Sequence, residues 1–244
     1  MLASLLNEID KLQEEINSFR PLDTKIIKQL KDYYRIGLTY TSNALEGNSL
    51  TESETKVVLE DGITIGGKPL KDHYEAEGHG EAYDFMHTLM KNNMLTESHI
   101  KELHKLFYYR IDHINAGIYR KEKIFVTGSR YKFPNPEKIE ILMKDFIESL
   151  PDLRIKNHPV TFSALVHRTF VFIHPFIDGN GRVARLLMNL VLLQSGFVIA
   201  IIPPILRAQY IELLEKAPTD SNPFIEFIAN RVKETQKDYL RLLR

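Results

Sequence analysis

The chain has no cysteine and no tryptophan among its 244 residues. Missing thiols exclude a disulfide framework, a cysteine nucleophile and a thiolate metal site, and they agree with a cytoplasmic protein. An excess of either charge is missing too, since 32 Lys and Arg face 32 Asp and Glu. A neutral chain has no overall field to draw it to nucleic acid or to a membrane, so neither is expected as a partner. The nine histidines are scattered and form no metal pair of the H-E-x-x-H kind. A basic leader is lacking, and Glu8 and Asp10 interrupt the apolar start MLASLLNEIDKL, so no signal peptide is expected.

Two stretches imitate features that the chain lacks. Leu186 to Leu206 carries no charge over 21 positions, enough to span a membrane by length alone. It contains Asn189, Gln194, Ser195, Gly196 and Pro203-Pro204, and reads instead as a buried helix stopped by Gly196 and followed by a loop. Gly62 to Pro69 comes within one residue of a phosphate-binding G-x-x-x-x-G-K-[ST] loop. Pro69 stands where that loop needs a hydroxyl and an N–H, so the stretch reads as a glycine-rich connection.

What is present is enough to bury a large core: 43% of residues are hydrophobic, and 13 are Phe. Apolar residues recur at helical spacing over 1–19, 24–46, 73–92, 97–111, 136–149, 161–173, 182–195, 204–216 and 222–243. Thr51-x-x-Glu54 predicts a capping box for one more helix. Gly128-Ser129 fits a two-residue type II′ turn between Ile124–Thr127 and Arg130–Phe133, a short hairpin that needs something to pack on. The expected fold is all-α, a single domain over 1–244 with one β-hairpin. Residues 1–50 supply N-terminal helices, and 51–244 supply the core and the C-terminal helices.

The chemistry concentrates in His174-Pro175-Phe176-Ile177-Asp178-Gly179-Asn180-Gly181-Arg182, between two apolar helical stretches. Pro175 disfavours the α conformation at His174 and so ends the first helix there. The second helix begins after two turn dipeptides, and its N-terminus favours an anion. Arg182 and Arg185 share one side of its first turns, where two cations oppose the helix dipole unless something negative binds. Phosphate fits that place. His174 is the one side chain in the loop that titrates near neutrality, hence the candidate general base. Asp178 is a hard oxygen ligand suited to Mg²⁺ that also touches phosphates. Asn180 and the backbone at Gly179 and Gly181 can donate to phosphate, and Arg182 can neutralise a leaving group. Phe176, apolar in a polar loop, reads as an anchor to the core.

This string resembles the signature motif of the Fic (filamentation induced by cAMP) family, HPFx[D/E]GN[G/K]R, and matches it at every fixed position. The resemblance extends from about residue 30 to about 230 and is strongest over 162–196. It implies a protein adenylyltransferase that uses ATP with Mg²⁺ and transfers AMP to a Ser, Thr or Tyr hydroxyl of a target protein or of itself. Ser42-Asn43-Ala44-Leu45-Glu46-Gly47 is similar to the family's inhibitory motif, [S/T]xxxE[G/N]. Gly47 fits a helix C′ position, which leaves the Glu46 acid at the unfavourable end of the dipole. The resemblance pairs Glu46 with Arg185, where it would block a productive nucleotide pose. It also makes Ile124, Phe125, Val126, Thr127, Gly128 and Ser129 a flap that pairs with the target's backbone. Other readings stay open: removal of AMP, transfer of another phosphate-linked group, or a non-catalytic nucleotide-binding module. Homo-oligomerisation is open as well, because the amphipathic first helix can pack on the core or on a second copy. Many bacterial relatives carry a winged-helix domain after this core, and none is expected here.

Overall fold

Helices form where the apolar spacing places them. The computed structural model describes residues 2–92 and 94–244. Its helices are α1 Leu2–Ser18, α2 Thr24–Ala44, α3 Glu52–Asp61, α4 Leu70–Thr88, α5 Glu97–Tyr108, α6 Ile139–Lys156, α7 Pro159–Ile173, α8 Asn180–Gln194, α9 Arg207–Lys216 and α10 Asn222–Leu243. Short 3-10 turns at Pro136–Lys138 and Pro204–Leu206 lead into α6 and α9. No strand occurs among the described residues.

Local chemistry accounts for several of the starts. The Thr51 hydroxyl accepts from the Glu54 N–H at 3.2 Å while the Glu54 carboxylate accepts from the Thr51 N–H at 2.7 Å, the reciprocal box the sequence predicts. Asp23 caps α2 by accepting from the Lys25 N–H at 2.7 Å. Pro159 opens α7, where its missing N–H costs nothing. The expected end furthest from the observed one is that of α6. The α6 helix does not stop at residue 149 but continues through Pro151 to Lys156. Pro151 lies on the exposed side, where a carbonyl deprived of its donor meets water.

The core is built around α8, whose residues from Arg182 to Leu192 are all buried. A helix covered on every side is a central one. Helix α7 packs along it, and a single hydrophobic cluster joins residues from Ile9 on α1 to Val232 on α10. Helix α1 lies on α10, where Gln236 Nε2 donates to the Ile9 carbonyl and to Gln13 Oε1, both at 3.1 Å. Its apolar stripe is therefore covered within this chain.

Both imitations resolve as expected. Among the described residues no helix is long and apolar enough to cross a membrane. Helix α8 ends at Gln194, and the extended segment after it is held by Asn189, which accepts from the Ala200 N–H at 2.7 Å and donates to its carbonyl at 3.3 Å. The Gly62–Pro69 stretch is a connection that begins at the left-handed cap of α3, with no strand before it.

Candidate nucleotide-phosphate site

The loop between α7 and α8 is held by its own residues. His174 ends α7 in the left-handed region, φ 51° and ψ 60°, and no other non-glycine residue among those described has positive φ. Pro175 bars the right-handed region and the turn requires the left-handed one, at a cost of order 1–3 kcal/mol that the surrounding contacts must offset. Phe176 is fully buried and stacks face to face on His104, centroids 3.8 Å apart and planes within 3°. The anchor role expected of Phe176 is thus what the fold shows. Asn180 differs from expectation. Its side chain accepts from the Phe176 N–H at 2.9 Å and donates to the Phe176 carbonyl at 2.8 Å, so it closes the loop on itself instead of facing a phosphate.

Gly179 begins α8 with φ 76°, and a Cβ there would fall 2.9 Å from the Phe107 ring, so both conformation and space call for glycine. No side chain caps α8. Its first N–H groups therefore present an anion site at a helix N-terminus. Asp178 stands at the edge of that site with its side chain 47% exposed. One of its oxygens accepts from the Gly179 N–H at 2.6 Å and lies 3.5 Å from Arg182.

His174 has the tautomer of a base. Its Nδ1 lies 3.1 Å from the Val171 carbonyl, so Nδ1 carries the proton and Nε2 keeps its lone pair. Burial pushes the ring down to about 4 despite that hydrogen bond, so it is neutral at pH 7. Phe133 covers one side of it, centroids 4.6 Å apart.

Each arginine has found a carboxylate inside the chain. Arg182 donates to Glu75 at 2.8 Å and lies over the Phe107 ring at 4.2 Å. Arg185 donates to Glu46 at 2.7 Å, to the Ser42 hydroxyl at 2.9 Å and to the Ser42 carbonyl at 2.8 Å. Both residues of the expected inhibitory motif, Ser42 and Glu46, therefore meet at Arg185. Tyr210 lies 3.4 Å from the same guanidinium and shares a hydrogen bond with His167 at 2.9 Å. Burial alone would raise the Glu46 carboxyl, but Arg185, followed by Arg182, holds it below the usual carboxylate range. Helix α2 stops at Ala44, two residues before the expected end, and Glu46 rides the turn that Gly47 completes at φ 97°. The carboxylate rests against Gly181, where an added Cβ would meet Glu46 Oε1 at 2.4 Å.

The flap segment corrects the hairpin expectation. Residues 121–135 form no ladder. The turn is Val126–Ser129, closed by the Ser129 N–H donating to the Val126 carbonyl at 3.1 Å, with Gly128 third at φ 86° as in a type II turn. Side-chain anchors outcompete strand pairing here. Glu215 accepts from the Ser129 hydroxyl at 2.6 Å and the Arg130 N–H at 3.0 Å, and Tyr131 packs on Phe172 at 4.4 Å. The limbs stand apart around a cavity of about 510 Å³ lined by Ile124, Phe125, Val126, Ser129, Tyr131 and Phe133.

Three contributors escaped the sequence reading. Arg120 is buried with no carboxylate beside it; it donates to the carbonyls of His174 at 2.8 Å, Glu122 at 2.8 Å and Pro134 at 2.7 Å. One guanidinium thus ties both ends of the 121–135 segment to the loop between α7 and α8. His104 accepts from the Gly117 N–H at 2.8 Å through Nδ1, which leaves Nε2–H to donate to the Asp178 carbonyl at 3.1 Å. Glu75 is the third. The available signal for it was Gly78-His79-Gly80 inside a helical pattern, because mid-helix glycines mark close approach. A Cβ at Gly78 would sit 2.5 Å from the Phe107 carbonyl, and that contact brings α4 and its Glu75 against the site.

A neutral imidazole, an uncapped helix N-terminus, an exposed carboxylate and two arginines meet here on an all-helical frame, a set of groups suited to a nucleotide phosphate. Residues 94–192 match the Fic/DOC family. A curated relative, protein adenylyltransferase Fic of Drosophila mojavensis, is 33% identical over 238 residues, 96% of this chain and 47% of the relative. Fic-1 from C. elegans superposes with a TM-score of 0.89 at 28% identity, covering 98% of this chain and 72% of that one. A Fic domain containing signaling protein from Bacteroides thetaiotaomicron gives 0.88 at 28% identity and covers 97% of each chain. The fold of the chain is that of these Fic proteins, and the Fic/DOC match covers residues 94–192. The chain spans about half the length of the curated relatives it matches.

Proposed function

We propose that this chain is a protein adenylyltransferase held in check by Glu46. ATP places its phosphates at the open N-terminus of α8, against the backbone of Gly179 and Gly181 and beside Arg182. The hydroxyl oxygen of a Ser, Thr or Tyr on a target protein attacks the α-phosphorus. The bond from that phosphorus to the bridging oxygen breaks, pyrophosphate leaves, and the hydroxyl proton passes to Nε2 of His174. Bound phosphate raises the proton affinity of a ring that burial has depressed, so the base strengthens when substrate arrives. Asp178 suits Mg²⁺: its carboxylate is half-exposed at the phosphate end, and a single carboxylate with phosphate oxygens is an ordinary magnesium environment. There the ion would neutralise charge on the pyrophosphate. The open backbone edges of Ile124–Val126, beside exposed Phe125, suit an extended target segment.

The observation that carries this reading is the place of Glu46. A carboxylate bonded to Arg185 and seated on Gly181 occupies the ground a polyphosphate needs. The test follows label from α-³²P-ATP with Mg²⁺ into protein, on the chain itself and in a cell lysate. Glu46→Gly should label strongly, wild type weakly, and Glu46→Gly with His174→Ala not at all. Absence of label in all three would overturn the proposal.

A further inference from the structure

We propose that Glu75 is a positioning residue for Arg182, and that Asn48 joins it to the turn carrying Glu46. This inference rests on the adenylyltransferase reading. Glu75 on α4 is buried, and its Oε1 accepts from Arg182 Nη1 at 2.8 Å, with Lys71 Nζ 3.8 Å from the same oxygen. Its Oε2 accepts from Asn48 Nδ2 at 2.9 Å. Asn48 lies two residues beyond Glu46, and the turn between them is fastened to the same stretch of α4. Asn48 Nδ2 also donates to the Asp72 carbonyl at 3.0 Å, and Asn43 Nδ2 donates to the Glu75 carbonyl at 3.2 Å. The Ser49 N–H and hydroxyl donate to the Asp72 carboxylate at 2.8 and 2.6 Å. Asp72–Glu75 therefore grips the inhibitory turn on one side and Arg182 on the other.

The geometry at Arg182 shows what the grip does. Its side chain is 3% exposed, its Nε is buried without a partner, and the Phe107 ring covers one face. Glu75 is its near carboxylate; Asp178 lies 3.5 Å away. Glu75 and the ring together fix the plane of the guanidinium, and Glu75 also cancels its charge. These two actions oppose each other in catalysis. Cancelled charge weakens attraction for ground-state ATP, whereas a fixed plane speeds the transition state. A side chain that only supported the fold would change the active fraction without separating affinity from rate.

The experiment uses the full chain, with MgATP affinity measured by calorimetry and transfer measured with α-³²P-ATP. In the Glu46→Gly background, Glu75→Gln should bind MgATP roughly 3–10-fold more tightly yet label roughly tenfold more slowly. Asn48→Ala leaves the Arg182–Glu75 pair in place and loosens the inhibitory turn. It should raise labelling several-fold in the otherwise wild-type chain and change nothing when Glu46 is glycine. Unchanged MgATP affinity in Glu75→Gln overturns the positioning role, as does weaker binding with rate lost in proportion. An Asn48→Ala effect of equal size in both backgrounds overturns the link. If no variant labels while MgATP affinity shifts as stated, the adenylyltransferase reading fails and the placement of Glu75 stands.

Discussion

Replacing Glu46 with glycine takes a carboxylate from a guanidinium that has no route to water. The Arg185 side chain is 3% exposed and that of Glu46 is 36% exposed. Exposed ion pairs contribute ~0–1 kcal/mol, whereas breaking a buried pair costs ~3–5 kcal/mol. This half-open pair lies between those limits, and Arg185 keeps the Ser42 hydroxyl, the Ser42 carbonyl and Tyr210. A loss of about 2 kcal/mol follows, which for a chain of this size lowers Tm by about 4–8 °C. MgATP then restores an anion beside Arg185. At a hundred times Kd it returns about 2.7 kcal/mol to the variant, which brings it back to wild-type stability or above. Wild type should gain less, because its own carboxylate already fills the place and must be displaced. Scanning fluorimetry with and without MgATP reads both effects, and Glu46→Gln separates lost charge from lost bulk. Equal melting temperatures for variant and wild type, with equal shifts on adding MgATP, would refute the reasoning.

Three further predictions follow from single observations. Gly181→Ala places a methyl 2.4 Å from Glu46 Oε1, so it should lower Tm in the otherwise wild-type chain and lower it less when Glu46 is glycine; an equal loss in both backgrounds would mean that Glu46 does not sit on Gly181. Arg120→Ala should speed hydrogen exchange across 122–134 and lower transfer, and Arg120→Lys should fail to restore either, because an ammonium cannot reproduce a planar fork on three carbonyls. Restoration by lysine would show that charge alone matters. Stability should fall steeply in mild acid. Burial depresses His79 and His167 to about 3, and His87, His104 and His174 to about 4, so the unfolded chain takes up these protons first. Stability from these rings is complete above pH ~6.5 and declines as pH falls below it, by ~1.4 kcal/mol per ring and pH unit. Five such rings exhaust an ordinary ~5–15 kcal/mol within about two units, so a Tm that stays flat down to pH 5 would contradict their burial in neutral form.

The sequence disclosed the helices and the loop, because each is written in local spacing or in a contiguous string, and the pairing of Glu46 with Arg185 was legible only through the family resemblance. It disclosed less where the answer depends on distant partners. The α6 helix runs past Pro151 because the surroundings leave that carbonyl wet, which no local pattern encodes. The flap reads as a hairpin from its turn residues, yet Glu215, about ninety positions away, claims the backbone and hydroxyl that would have begun the ladder. Asn180 read as a phosphate ligand by composition, whereas the loop needed its amide to close on Phe176. Glu75 and Arg120 lie in ordinary helical and loop sequence and gain meaning only when α4 and the flap fold onto the signature loop.

The two arginines link stability to regulation. Buried guanidiniums on the first turns of α8 are stabilised by a counter-charge, worth about 2 kcal/mol at Arg185. The chain supplies the counter-charges itself, Glu46 from the turn after α2 and Glu75 from α4. On the proposed function, the contacts that stabilise these guanidiniums are the ones that obstruct the site. Inhibition needs no separate device, and a release signal need not break the fold. It has only to replace about 2 kcal/mol at Glu46, which corresponds to a ligand or partner that prefers the open turn by about thirtyfold. Coupling of that size is ordinary for an allosteric effector, and it is small enough for the arrival of the nucleotide's own phosphates to contribute.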